Sequence, residues 1–186
     1  ISLANWVTGP IVANSGSSRT EMRAGTMPAV AQTRDSWEIE LMNTREAIWD
    51  AMKRRETFAT SGPMIKVRFF GSFDYTPADA QKPDVVTVAY SRGVPMGGTL
   101  KAGKGVPSFV ISALKDPIGA NLDRVQVVKG WVDKAGRTHE KIFDVAWSNP
   151  EQRKVDTHGR LTPVGNTVDV ATASWTNTIG TPELMT

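Results

Sequence analysis

His139 and His158 are the only histidines in the chain. A catalytic zinc commonly takes about three protein ligands, often with two histidines among them. His139 stands at the start of an apolar-alternating run, and His158 stands in a Gly-containing segment. Asp156, Thr157 and His158 have the Asp-x-His order that suits a hard or borderline cation. The surrounding text, "VDTHGRLTPVG", also has the residues of a β-turn, with Gly159 at the left-handed position. The turn is the expected reading, with both histidines exposed in hairpin and turn positions.

Other stretches offer weaker chemistry. "DPIGANLD" supplies the oxygen donors Asp116, Asn121 and Asp123 but lacks the spacing of a calcium loop, so a turn is expected. "GVPMGGTLKAGKG" is glycine-rich with two lysines, yet it lacks the P-loop pattern and no helix follows; it reads as a mobile hairpin loop. "TFATSGP" places hydroxyls at a strand end without an adjacent base, which leaves a serine nucleophile unsupported. Cysteine is absent, which removes disulfides, thiolate metal sites and a cysteine nucleophile, and is as compatible with an exported parent as with any other. Of the six tryptophans, Trp6, Trp37, Trp49, Trp131, Trp147 and Trp175, most are spaced as core or edge residues of strands. Trp131, Trp147 and Trp175, if exposed beside polar groups, would make a sugar- or protein-binding surface; buried between sheets, they would not.

Composition narrows the class. At 186 residues, 40% hydrophobic and 22% charged, the chain is ordinary for a globular domain with a sizeable core. Its net charge of +3 comes from interleaved acids and bases, which argues against nucleic acid as a partner. No apolar run approaches the length of a transmembrane helix, which argues against a membrane. The chain begins at Ile1 and ends "TPELMT", which reads as two cut ends.

The elements that must position these residues fall into two parts. Residues 1–42 show no sustained period and read as irregular, with one short strand near Trp6 to Val12. "NTREAIWDAMKRRETFATSGP" then reads as a helix and a short strand. Asn43 or Thr44 can cap it, and Glu46 stands at capping-box spacing from Asn43. Lys53, Arg54 and Arg55 crowd the last turn, where the helix dipole favours cations. After Pro63, six β runs follow at 64–70, 84–91, 108–114, 124–132, 139–148 and 167–175, separated by turn signals. "WVDKAGRTHEKIF" is the clearest hairpin. The expected fold is mainly β: an antiparallel sandwich-like domain over 63–186, preceded by one α-helix and an irregular N-terminal segment over 1–62.

Three long phrases carry a family resemblance: "NTREAIWDAMKRRETFATSGPMIKVRFFG", "LDRVQVVKGWVDKAGRTHEKIFDVAWS" and "GNTVDVATASWTNTIGTPELMT". They are similar to the bacterial family known as domain of unknown function 3604. That family resembles the polymerase-and-histidinol-phosphatase superfamily of metal-dependent hydrolases. The resemblance implies an α/β barrel whose His and Asp/Glu ligands hold divalent cations that activate a water. The family's ligand motifs lie upstream, and this chain has no histidine before His139, so no ligand carries over and the "DTH" falls in the wrong region.

By this resemblance, residues 1–62 end a truncated barrel and 63–186 form the domain appended to it. The implied function is the C-terminal portion of a hydrolase of phosphate or sulfate esters, itself lacking the metal site and inactive alone. Arg55, Thr60 and Ser61 close the α/β unit and are the residues expected to approach the absent site. The implied partners are the missing barrel domain and a second copy of the chain. Family members continue past "PELMT" with further strand text, so the C-terminal edge is expected to lack a partner. A binding module for carbohydrate or a protein is the alternative.

Overall fold

A computed structural model describes residues 6–8, 12–13, 30–31, 44–101 and 103–186. The chain order is β1 (Trp6–Thr8), β2 (Val12–Ala13), β3 (Val30–Ala31), α1 (Arg45–Arg54), β4 (Thr57–Phe58), β5 (Lys66–Ser72), a 3-10 turn (Asp79–Gln81), α2 (Val85–Arg92), β6 (Val94–Pro95), β7 (Ser108–Leu114), β8 (Leu122–Val132), β9 (Thr138–Trp147), β10 (Val168–Asp169), β11 (Ser174–Trp175) and β12 (Glu183–Met185). The irregular reading of the rest of 1–42 and the alternative cap Asn43 lie outside the described residues.

The fold is mainly β and antiparallel. One sheet runs β12-β7-β5-β6; in the other, β8 pairs with β9 and with both β1 and β2. β5 and β7 pair without a break from Lys66↔Leu114 to Ser72↔Ser108. Alternation along these two strands sends Val67, Phe69, Ile111 and Ala113 into a core shared with Leu122, Val125 and Val127 of β8, so the two sheets face each other. Phe70 and Val110 point the other way, into a second cluster with Tyr75 and Ala89. β5 and β7 are therefore covered on both faces, which explains the adjacent apolar residues Phe69 and Phe70 and the run "FVI" at 109–111. Each fully buried Phe or Ile there stabilises by about 1.5–3 kcal/mol.

The second face is covered by α2, and here the sequence reading of 84–91 as a strand is corrected. Val85, Val86, Ala89 and Tyr90 recur at helical spacing and pack on Phe70, Tyr75 and Val110. Three valines and a tyrosine favour strand intrinsically, but packing of one helical face onto a finished sheet outweighs that preference. Among the described residues there are thus two α-helices rather than one. Gly93 ends α2 against the Tyr75 hydroxyl; a Cβ there would lie 2.1 Å from Tyr75 Oη.

Three further readings change. Residues 167–175 form a small hairpin of two short strands, Val168↔Trp175 and Asp169↔Ser174, because Asp169 Oδ1 accepts from Ala171 N (2.9 Å) and turns the chain. "TFATSG" is strand only at Thr57–Phe58, which pairs with β3. The single early strand becomes β1 and β2, both on β8.

The hairpin β8–β9 and the turn at 156–160 form as expected, and they share one design. In Asp133–Arg137 the Asp133 N–H donates to the Arg137 carbonyl and Gly136 N–H to the Asp133 carbonyl, while Asp133 Oδ1 accepts from Ala135 and Arg137 N–H. Asp156–Arg160 repeats every one of these bonds. The left-handed residue is glycine in both, Gly136 and Gly159.

Candidate functional site

The helix α1 starts where expected, with Thr44 Oγ1 accepting from Ala47 N–H at 3.2 Å. Ala47, not an acid, occupies the third helical position from Thr44, so no capping box closes on that cap. At the other end Arg55 is left-handed (φ 59°), with Arg55 N–H donating to the Met52 carbonyl and Glu56 N–H to the Ala51 carbonyl. This two-bond helix ending normally uses glycine at the Arg55 position.

Glu56, which the sequence reading passed over, is 4% exposed. Its Oε1 accepts from the Tyr90 hydroxyl of α2 at 2.6 Å, and its Oε2 from Arg54 Nε at 3.3 Å. Tyr90 in turn meets Phe70 edge to face at 4.9 Å. Gly97 completes the junction: its ideal Cβ would lie 2.2 Å from the Arg55 carbonyl oxygen, and its φ is +77°. The α1–β4 unit is therefore held to the sandwich by a buried carboxylate and a backbone approach only glycine permits. Arg55, Thr60 and Ser61 all lie on this unit and its link to β5; the Arg55 and Ser61 side chains face solvent, and Thr60 is half-buried.

The remaining buried charges are structural centres. Asp79, 2% exposed, accepts from Lys82 Nζ (2.7 Å), Thr76 N–H (2.8 Å), Thr76 Oγ1 (2.9 Å) and Arg92 Nη1 (2.9 Å). The Lys82 ammonium first, then the Thr76 donors and Arg92, hold its carboxyl well below the usual carboxylate range. Arg153 pairs with Asp123 and also donates to the carbonyls of Asp123, Ser148 and Thr162. Arg124 Nη2 takes the other oxygen of Asp123 at 2.9 Å.

The donors of "DPIGANLD" do not converge. Asp116 accepts from Met64 N–H (2.6 Å) and Ile118 N–H (2.9 Å), Asn121 donates to the Ile179 carbonyl (3.0 Å), and Asp123 belongs to Arg153. His158 lies in the exposed Asp156–Arg160 turn. His139 Nε2 lies 2.9 Å from Asp133 Oδ2, and its ring stacks on Trp131 with centroids 5.2 Å apart. Among the described residues no three His, Asp or Glu side chains gather as metal ligands.

Trp131 and Trp147 lie on opposite faces of the β8–β9 hairpin, and Trp175 lies on β11. Trp131 opposes His139 near the hairpin tip, and Trp147 opposes Arg124 at its base. Trp147 is half-buried and donates from Nε1 to the Arg153 carbonyl at 3.2 Å. Trp131 and Trp175 are 39% and 46% exposed. No helix among the described residues is long and apolar enough to cross a membrane.

A mainly antiparallel β domain with a helix–strand unit latched to it defines the architectural class. Residues 13–186 match the family described as "Protein of unknown function (DUF3604)", and the chain belongs to that family. No curated protein and no solved structure matches the chain.

Proposed function

We propose that the chain is the C-terminal portion of a metal-dependent hydrolase acting on phosphate or sulfate esters, in which residues 63–186 brace the catalytic barrel. The resemblance of the long phrases at 43–73, 106–148 and 161–186 supports the hydrolase class. The observation that carries the bracing role is the junction at Glu56: a buried carboxylate joins α1 to α2, and Gly97 seats on the Arg55 backbone. A helix–strand unit fixed in this way sets the position of whatever precedes it. The residues described do not fit a divalent cation, because His139 is engaged by Asp133 and Trp131, and His158 lies in an exposed turn. Among the described residues no metal ligand is assigned, and Arg55, Thr60 and Ser61 are the residues we expect to approach the barrel's site.

The test uses the full-length parent loaded with a divalent metal, assayed on p-nitrophenyl phosphate and p-nitrophenyl sulfate. Metal-dependent release of nitrophenol from either is expected, with neither released by this chain alone. Tyr90→Phe and Gly97→Ala in the parent are expected to lower both its melting temperature and its turnover. A parent inert on both esters would overturn the hydrolase reading. Activity with both variants indistinguishable from wild type would overturn the bracing reading and leave the hydrolase reading standing.

A further inference from the structure

The buried carboxylate of Asp79 holds a wall in place. Its hydrogen bonds from Thr76, Lys82 and Arg92 fix the 3-10 turn Asp79–Gln81 between the segment after β5 and the end of α2. Thr76, Ala80 and Gln81, on this turn and just before it, line a cavity of about 480 Å³. Ser108 and Val110 of β7 and Met185 of β12 line it from the sheet. Ser108 and Val110 are two apart on β7 and share the face on which α2 packs. Met185, on the neighbouring strand, is 38% exposed, so α2 covers only part of that face and the cavity lies where the cover ends. Its volume falls in the range of roughly 300–1,000 Å³ that small-molecule sites occupy.

The lining is mixed in character. Tyr75, Ala80 and Val110, each less than a tenth exposed, and Met185 supply apolar contact. Three polar side chains complement them. Thr76 Oγ1 donates to Asp79 and keeps lone pairs with which to accept. The Gln81 amide and the Ser108 hydroxyl have no side-chain hydrogen bond among the described residues, and each can both donate and accept. No charged side chain lines the cavity. Asp79 is taken up by its donors, and Lys82 and Arg92 are paired with it.

We infer that this cavity binds a neutral glycoside, with sugar hydroxyls at Thr76, Gln81 and Ser108 and the apolar aglycone against Val110 and Met185. Sugar hydroxyls donate and accept, which matches the three polar groups. An ionised ligand would lose its water here without meeting a counter-charge. A wholly apolar ligand would cover Gln81 and Ser108 and leave them unbonded. The wall fixed by Asp79 keeps the ordering cost of binding low, so Asp79 acts as a positioning residue. The inference stands independently of the hydrolase reading.

The experiment is a nuclear magnetic resonance titration of this chain with phenyl β-D-glucopyranoside, phenyl β-D-galactopyranoside and phenyl α-D-mannopyranoside. At least one is expected to saturate with a dissociation constant below about 10 mM, shifting the amides of 76–81 and 108–110. Ser108→Ala and Gln81→Ala are each expected to weaken that binding about fivefold with an unchanged melting temperature. Ser174→Ala, on β11 and outside the cavity, leaves it unchanged. No saturation by any of the three, or losses no greater for Ser108→Ala and Gln81→Ala than for Ser174→Ala, would overturn the site. Phenyl β-D-glucuronide binding as tightly as the neutral glycosides would overturn the neutral assignment. Toluene binding as tightly would overturn the part given to the hydroxyls.

Discussion

Arg153 and Asp123 lie thirty residues apart in sequence and meet as an ion pair in which both side chains are more than nine-tenths buried. The guanidinium also donates to the carbonyls of Asp123, Ser148 and Thr162, so it ties the start of β8, the end of β9 and the segment after the Asp156 turn to one point. Removing one member of a buried pair leaves the other charge desolvated. Arg153→Ala is therefore expected to cost about 3 kcal/mol, seen in chemical denaturation, because Arg124 retains only one oxygen of Asp123. Lys154→Ala, next door and exposed, is expected to stay within about 0.5 kcal/mol. A loss for Arg153→Ala as small as that of Lys154→Ala would show that the pair contributes nothing beyond Arg124.

The junction at Glu56 makes a local prediction. Tyr90→Phe deletes one hydrogen bond to a charged acceptor and is expected to cost about 1.5–3 kcal/mol. Gly97→Ala meets both a left-handed backbone and the Arg55 carbonyl, and is expected to cost at least as much. In amide hydrogen exchange the lost protection should concentrate in 45–58. Protection lost evenly over the sandwich would contradict a junction specific to α1.

Tyr75 should titrate late. Burial first raises its phenol to about 12, and the neutral hydroxyl donates to the Ala89 carbonyl at 2.6 Å. The folded value lies above the unfolded value of 10.0, so the stabilisation is complete below pH 10 and is lost as pH rises toward 12. Ultraviolet difference titration of Tyr90→Phe, which leaves Tyr75 as the sole tyrosine, should show phenolate forming near pH 12. Phenolate forming near pH 10 with the fold intact would contradict the placement of Tyr75 under α2.

Asp133 works in the opposite direction. The bond to His139 first, then the Arg137 N–H, lowers its carboxyl to about 2 from 3.8. A depressed acid stabilises the fold above its unfolded value, and the contribution disappears as pH falls from about 4 to 2. Asp133→Asn should melt below wild type at pH 7, and the difference should close across that window. A difference that persists at pH 2 would mean that turn geometry, rather than charge, is what the substitution removes.

The strands that were legible in sequence are those with a simple environment. β7 was read to the residue, and the β8–β9 hairpin was announced by "DKAGR", because turn chemistry is local and written in consecutive residues. The segment at 84–91 was not legible as a helix: its valines serve either state, and only the exposed far face of β5 and β7 decides between them. At the candidate junction, Arg55 was singled out for its position while Glu56, beside it, was not. A glutamate after three basic residues reads as a solvated counter-charge, and its partner Tyr90 is 34 residues away. Arg153 within "EQRKVD" was hidden for the same reason, since long-range pairing leaves no periodic trace.

The self-contained turn at Asp133–Arg137 also bears on the order in which the molecule assembles. The chain between β8 and β9 is five residues long and supplies its own carboxylate to hold the bend, so pairing there costs little loop entropy. β5 must wait for β7, across the whole of α2 and the glycine-rich segment, and β7 must wait for β12 to complete its other side. On a ribosome, the hairpin can therefore close as soon as it emerges, while the central sheet stays unfinished until residues 183–185 have been made.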